Sequence, residues 1–600
     1  MNSSQKALRR AAQIRCSSQK SVIASQRQWA RLASSSAQQG GPRRNGGKVV
    51  GFTAVFAAAA AAAYYYPQLT GQPAPEPQRP EAELEFEKPR RQAASREDNR
   101  DLISSQHLQV KNSWEHPGVY AWGSNAGKVI DASSNDKYIK RPRRIAYFND
   151  QLLRDLKLTR EFGAAITENG DLVQWGLGFS EADPRPQATL RGKDLVKVDV
   201  SADRVVALSR KGAVYSIPAS RDDQQEGAKL EQSKNSWSLW SPSGNEPISF
   251  RNLTPTQLSR GEKVTDISSG LEHCLMLTNR GRVFSAASSA TSFPTKGQMG
   301  IPGLGWETRP TGPYDQAHEV AALGGFDIDK IATGDFHSVV SDKTGRVFTF
   351  GDNTFGQLGF EAEVSLPYAS APTMVSTTKL YGNSGLVPKV TSIAAGGVNT
   401  LFTVDAEAPG PAERGVLNAA PARRMPRTAS DLWACGRGVS GMLGTGKWTH
   451  VSLGPAKVKS LSSLFEFNEK TNRMMPIKLK SLSMGSTHCS AVMDNVTETN
   501  ISRQSTENET NWGADVLFWG GNEHYQLGTG KRTNMNTPTY IGPLDGGAGD
   551  ADKGRGAEVH RLCLTPRQTA RVGEGGKGRK VTLEQKVECG KFVTGVYSAV

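Results

Sequence analysis

One short pattern recurs seven times along this chain, and that recurrence restricts the fold more than any single residue does. The clearest copy runs from Ile331 to Gly359, IATGDFHSVVSDKTGRVFTFGDNTFGQLG. It reads as a glycine turn, an alternating strand, a second glycine turn, a second alternating strand and a Gly-Gln-Leu-Gly loop. A unit this short cannot cover its own apolar faces, so the copies must stack on one another.

The spacing is regular. Gly334 is followed three residues later by His337 and eight further on by Gly345, and Gly270, His273 and Gly281 repeat both intervals. Phe162 with Gly170 and Arg204 with Gly212 keep the second interval; Gly396 with Asn399, Gly485 with His488 and Gly590 with Val593 keep the first. The partner strands are 119–123, 171–176, 213–217, 282–286, 346–351, 431–436 and 516–521, and most alternate apolar with other residues, the mark of a half-buried strand.

The two ends of the array are complementary. The strand at Val119 lacks the half-unit that should precede it, and the last half-unit, VECGKFVTGVYSAV, lacks the strand that should follow. Pairing them would close the array and remove its exposed edges. The expected fold is all-β, a closed β-propeller of seven four-stranded blades spanning 114–600. Insertions are expected at about 221–262, 287–328, 406–430, 496–514 and 542–583. Polar loops on a rigid scaffold are where such repeats carry binding specificity.

The spaced glycines, the histidine and the Gly-Gln-Leu-Gly loop, kept together over 334–359, resemble the regulator of chromosome condensation repeat family, over roughly residues 117–600. The resemblance implies seven-bladed propellers in which this histidine is a framework residue.

The chain of 600 residues carries a formal net charge of +15, which at first suggests a nucleic-acid partner. Ten Lys and Arg fall within the first 48 residues, and no Asp or Glu occurs before Glu76, so the body is only mildly basic. The serine- and arginine-rich, acid-free leader (1–45) has the composition of a mitochondrial transit peptide. Residues 49–66, VVGFTAVFAAAAAAAYYY, are uncharged, with Lys48 before them and Pro67 after them. At about 1.5 Å per residue this stretch is just long enough for a thin bilayer, so one transmembrane helix is expected at 48–66, followed by a linker at 67–113. The basic flank belongs on the matrix side, which puts the propeller in the intermembrane space; the matrix remains the other reading.

The chemistry-like motifs fall largely into the repeat. His273-Cys274 and His488-Cys489 look like ligand pairs, but neighbours on a strand point to opposite faces, so a structural histidine bonded within its blade is expected instead. Gly441 to Lys447 mimics a phosphate loop but continues with Trp448 where a hydroxyl is needed, and Leu527 to Lys531 repeats it at the same repeat position; both read as turns. Trp122, Trp175 and Trp519 read as blade core. Lys137 to Arg144 is the densest basic run of the body, a solvated loop or a contact for RNA or anionic lipid. No catalytic, cofactor-binding or metal-binding residues are expected, and no DNA partner.

The functional expectation is a non-enzymatic, membrane-anchored mitochondrial scaffold. With its leader and span, the chain resembles fungal mitochondrial inner-membrane members of the family, which implies a part in assembling respiratory complexes, complex III above all. The alternatives are guanine-nucleotide exchange on a mitochondrial GTPase, as in the nuclear founder of the family, and a propeller that binds the mitochondrial ribosome or RNA. The repeats run to Val600, so no ubiquitin-ligase domain like that of some family members is expected.

Overall fold

The repeat unit folds into an antiparallel meander. In the clearest copy, strands Ile328–Thr333, His337–Asp342, Val347–Asp352 and Tyr368–Met374 lie in that order in one sheet. The second glycine of the pattern makes the turn between the middle strands: Gly170, Gly212, Gly281 and Gly345 have φ of 85°, 91°, 73° and 90°, a region that strains any side-chain-bearing residue.

These features belong to a computed structural model that describes residues 96–227, 248–361, 367–408, 428–468, 473–495, 498–500, 509–545, 561–574 and 577–600. The expected transit peptide at 1–45 and transmembrane helix at 48–66 lie outside the described residues, as do the centres of several insertions. Among the described residues no helix is long and apolar enough to cross a membrane.

Separate four-stranded sheets begin at Leu195, Val264, Ile328 and Val387, and a five-stranded one begins at Lys478. The expectation of seven separate blades is corrected here: among the described residues five such sheets stand alone. The first and last parts of the body instead share one nine-stranded sheet. In it, strand Val119–Ser124 pairs antiparallel with Val593–Ala599, from Val119 opposite Tyr597 to Gly123 opposite Val593. A single parallel bridge, Leu153 to Ala599, then joins this region to the meander that starts at Leu153. Strand Lys580–Cys589 pairs antiparallel with the other edge of Val593–Ala599, so the C-terminal strand is hydrogen-bonded on both sides, and the ends of the array complete each other as their spacing requires.

Seven first strands, those beginning at Leu153, Leu195, Val264, Ile328, Val387, Lys478 and Lys580, contribute to the lining of one central cavity of about 350 Å³. Because each meander runs up, down, up and down from that cavity, the turn after the first strand and the loop after the third share one face, here the upper. The connections between second and third strands, and between units, share the lower. The described ends of insertions 221–262 and 287–328 therefore lie at the upper face, and those of 406–430, 496–514 and 542–583 at the lower.

The helix Arg96–Glu115, all but its last two residues in the span 67–113 assigned by sequence to a linker, docks on the lower face. Val110 is fully buried, His107 Nδ1 lies 3.1 Å from the Asn511 carbonyl, and Gln109 Nε2 donates to the Arg561 carbonyl at 3.1 Å. The Ser113 and Thr565 hydroxyls share a hydrogen bond.

Candidate interaction face

The first glycine of the pattern has a different physical reason from the second. A Cβ on Gly334 would fall 2.7 Å from the Gly397 carbonyl oxygen, one on Gly270 2.4 Å from that of Gly334, one on Gly485 2.2 Å from that of Gly590, and one on Gly590 1.8 Å from that of Leu158. At the upper mouth of the cavity the units converge until only glycine fits between neighbouring backbones. Backbone hydrogen bonds cross the same seams: Ala202 N to Leu271 O at 3.0 Å, Leu271 N to Asp335 O at 3.0 Å, and Asp335 N to Gly397 O at 2.8 Å.

The histidines link units. His273 Nε2 meets Ser338 Oγ at 2.8 Å, His337 Nε2 meets Thr400 Oγ1 at 2.9 Å, and His488 Nε2 meets Thr594 Oγ1 at 2.6 Å. Each hydroxyl belongs to the following unit and donates onward to a glutamine carbonyl in the Gly-Gln-Leu-Gly-type loop: Ser338 to Gln298 O at 2.8 Å, Thr400 to Gln357 O at 2.7 Å, Thr594 to Gln526 O at 2.6 Å. The hydroxyl proton is thus committed, so the imidazole must donate from Nε2. The expectation of a bond within the blade is corrected to a bond between blades. Burial pushes the imidazoles of His273, His337 and His488 down to about 3, 4 and 3, so they are neutral at ordinary pH. The ring also explains the interval of three: a Cβ on Gly334 would sit 2.1 Å from His337 Cε1. Asn399, in the histidine position, turns back to the Arg437 carbonyl at 2.7 Å instead.

Tryptophan stitches the seams in the opposite direction to the histidines. Trp175, Trp519 and Trp122 are buried, and their indoles donate at 2.8 Å to the carbonyls of Val129, Met442 and Gln526 in the loop of the preceding unit. The two phosphate-loop mimics lie in these loops; Gly441 and Gly528 take positive φ, and Gly446 N bonds to Asn536 O at 2.8 Å, so they are turns against the neighbouring unit.

Ion pairs tie the first strands together: in the cavity Lys157 lies 3.1 Å from Glu588 and 3.9 Å from Asp199, and outside the cavity lining Lys480 lies 3.3 Å from Glu584. Burial alone would lower Lys157, but Glu588, Asp199 and Asp155 hold it up. Burial pushes Glu588 up to about 7 against the pull of Lys157, with Asp155 and Asp199 adding to the rise. Asp155 and Asp199 also accept backbone hydrogen bonds from Val198 and Ser269 of the next unit, both at 2.9 Å. These groups hold the ring together. All five described cysteines are buried and free, and among the described residues no cluster of three or more His, Cys, Asp or Glu could hold a metal.

What the upper face offers outward is aromatic. The 287–328 insertion builds a small apolar cluster of Ala287, Phe293 and Met299, with Leu304 and Tyr314 packed against it. Trp306 stands over it with 54% of its surface exposed, its ring edge-on to Phe293 at 5.9 Å and its face covered by the Arg309 guanidinium at 3.6 Å. Trp448, beside the Gly441–Lys447 turn, is 57% exposed. A rigidly backed, exposed tryptophan with a stacked arginine has the composition of a binding hot spot. Sequence reading placed specificity in the insertions but did not single out Trp306, because an insertion has no repeat register to reveal which of its residues packs and which projects.

Comparison with known proteins identifies the repeat. Two family profiles, both described as Regulator of chromosome condensation (RCC1) repeat, match residues 328–357 and 344–402. "Protein FMP25, mitochondrial" of Saccharomyces cerevisiae is 28% identical over 458 residues, covering 72% of this chain and 67% of the yeast protein. "RCC1 domain-containing protein RUG3, mitochondrial" of Arabidopsis thaliana is 22% identical over 382 residues, covering 62% of this chain and 71% of the plant protein. Among solved structures, human WBSCR16 aligns over 80% of this chain and 99% of its own with a TM-score of 0.49 and 17% identity.

Proposed function

Because the chain carries regulator of chromosome condensation repeats and is related to mitochondrial proteins that contain them, we propose that it is a mitochondrial interaction scaffold whose upper face docks protein partners. The observation that carries this reading is Trp306, exposed, backed by its own apolar cluster and stacked by Arg309. Partner binding would desolvate the indole on a surface already ordered, so little entropy is lost on docking. The Lys157 charge in the cavity serves the fold rather than a substrate, since Glu588 and Asp199 neutralise it across the seams.

The finer reading is an assembly factor for respiratory complexes, complex III in particular. It would be delivered by the 1–45 leader and held at the inner membrane by residues 48–66, with the propeller in the intermembrane space. The helix Arg96–Glu115 docks on the lower face, which leaves the upper face free for the partner. The test is proximity labelling from the full chain in intact mitochondria, with Trp306→Ala/Arg309→Ala beside wild type, and native gels of respiratory complexes after gene deletion. Loss of respiratory-complex neighbours in the double variant, with slowed complex III assembly on deletion, is expected. Intact complexes on native gels would remove the assembly reading. Accelerated nucleotide release from a mitochondrial GTPase would replace it with exchange activity.

A further inference from the structure

A second surface on the upper face has a chemistry unlike that of Trp306. The basic run Lys137–Arg144 contains strand Tyr138–Arg144, and its upper end meets the loop that carries His524, Tyr525 and the Gly528-Thr-Gly-Lys531-Arg532 turn, nearly four hundred residues away in sequence. Tyr138 stacks on His524 with ring centroids 5.6 Å apart and planes 30° apart, and it lies 5.8 Å from Tyr525. His524 also meets Phe592 edge-on, with centroids 4.5 Å and planes 70° apart. All four rings are partly exposed.

Cations surround this row. Arg532 lies over Tyr138 at 5.6 Å, and Lys140 over Tyr525 at 5.5 Å. The Arg141 guanidinium lies against Gly530, and Lys531, the next residue, is exposed. Arg160 is close enough to His524 to act on its ring, which burial, Arg160 and Arg532 together hold below the usual histidine range against the opposing pull of Glu523. Among the described residues none of these five cations forms an ion pair, whereas Lys157 and Lys197 of the cavity both do. His524 Nδ1 is buried and makes no hydrogen bond.

An aromatic row bordered by unpaired Lys and Arg is the arrangement that receives a single polynucleotide strand: phosphates meet the cations while bases stack on the rings, with little sequence preference. A purely electrostatic contact with a lipid surface needs no such row. The patch also lies on the face opposite the docked helix Arg96–Glu115. We propose that Tyr138, His524, Tyr525 and Phe592, with Lys140, Arg141, Lys531, Arg532 and Arg160, form a binding site for single-stranded RNA. The site is independent of the Trp306 surface, so a scaffold can hold an RNA segment and a protein partner together.

The test uses the purified full chain in detergent and a fluorescein-labelled oligouridine twenty-mer, read by anisotropy, with an RNA duplex of equal length and phosphatidylglycerol vesicles as comparisons. With about four phosphates neutralised, affinity for the single strand should fall about fifty-fold between about 50 and about 200 mM salt. Lys140→Glu/Arg532→Glu should weaken binding at least tenfold. Tyr138→Ala should weaken it by about five- to a hundred-fold while Tyr138→Phe retains it, because stacking needs the ring and not the hydroxyl. Unchanged thermal midpoints show that the variants fold; should Tyr138→Ala fail this control, Tyr525→Ala replaces it. No binding, binding unaffected by the charge reversal, or binding that loses the cations' contribution but ignores loss of the ring overturns the proposal. Vesicle binding that depends on the same cations, with the duplex bound as tightly as the single strand, overturns it in favour of a general anionic surface.

Discussion

Thr400→Val isolates the contact that ties one repeat to the next. The Thr400 hydroxyl accepts from His337 Nε2 at 2.9 Å and donates to the Gln357 carbonyl at 2.7 Å, and all three residues are buried. Valine fills nearly the same volume, so no cavity opens. The substitution instead strands the Nε2–H of an imidazole with no exposed surface. It also leaves the Gln357 carbonyl with only the weak Cys435 thiol contact at 3.5 Å. A buried polar group left unpaired costs about 1–3 kcal/mol, and the carbonyl keeps a partial partner, so the total should be about 2–4 kcal/mol of unfolding free energy. Thr400→Ser keeps the hydroxyl and should cost less than about 1.5 kcal/mol, the scale of one lost methyl. The assay is urea unfolding of the purified chain followed by tryptophan fluorescence, which reports on the seams because Trp122, Trp175 and Trp519 lie in them. In His337→Leu/Thr400→Val the cost should fall short of the sum of the singles, since the valine then strands no imidazole. If valine and serine variants are equally stable, or if the pair is additive, the hydroxyl does not mediate between histidine and carbonyl and the account of the seam is wrong.

Three further outcomes follow from the same geometry. His273, His337 and His488 bind protons in the unfolded chain near pH 6.5 but in the fold only near 3, 4 and 3, so their contribution to stability is complete above pH 6.5 and is lost as pH falls. Each should remove about 1.4 kcal/mol per pH unit, and Glu588, raised to about 7, opposes them by a similar slope down to its unfolded value; His337→Gln should flatten the measured acid dependence by one histidine's share. Gly590→Ala places a Cβ 1.8 Å from the Leu158 carbonyl and should destabilise by about 3 kcal/mol or more, while Gly454→Ala, with nothing within 4 Å, should stay within about 0.5 kcal/mol in the same urea assay. Burial pushes the thiols of Cys274, Cys435, Cys563 and Cys589 up to about 12, so a thiol reagent at pH 8 should modify them only at the rate of unfolding; rapid native labelling would contradict the packing.

The Gly-x-x-His spacing alone announced a stack of repeats, and the complementary halves at Val119 and Val593 announced its closure, because a strand pattern missing its partner leaves an edge that another must cover. The turn glycines were equally legible, since a local φ requirement is written in local sequence. The reason for the other glycines was not: Gly334 must lack a Cβ because of Gly397, a residue of the next unit. The histidine's partner was misjudged for the same cause, as Thr400 lies across a seam that no spacing within one repeat describes. Trp306 was hidden in an insertion without register. The meeting of Tyr138 with His524 and Tyr525 joins opposite ends of the chain, and only closure of the ring creates it. Periodicity, which acts over a few residues, was fixed by the chain itself. The neighbours of each unit, and with them every surface built from two units, were decided by how the sheets pack around the cavity.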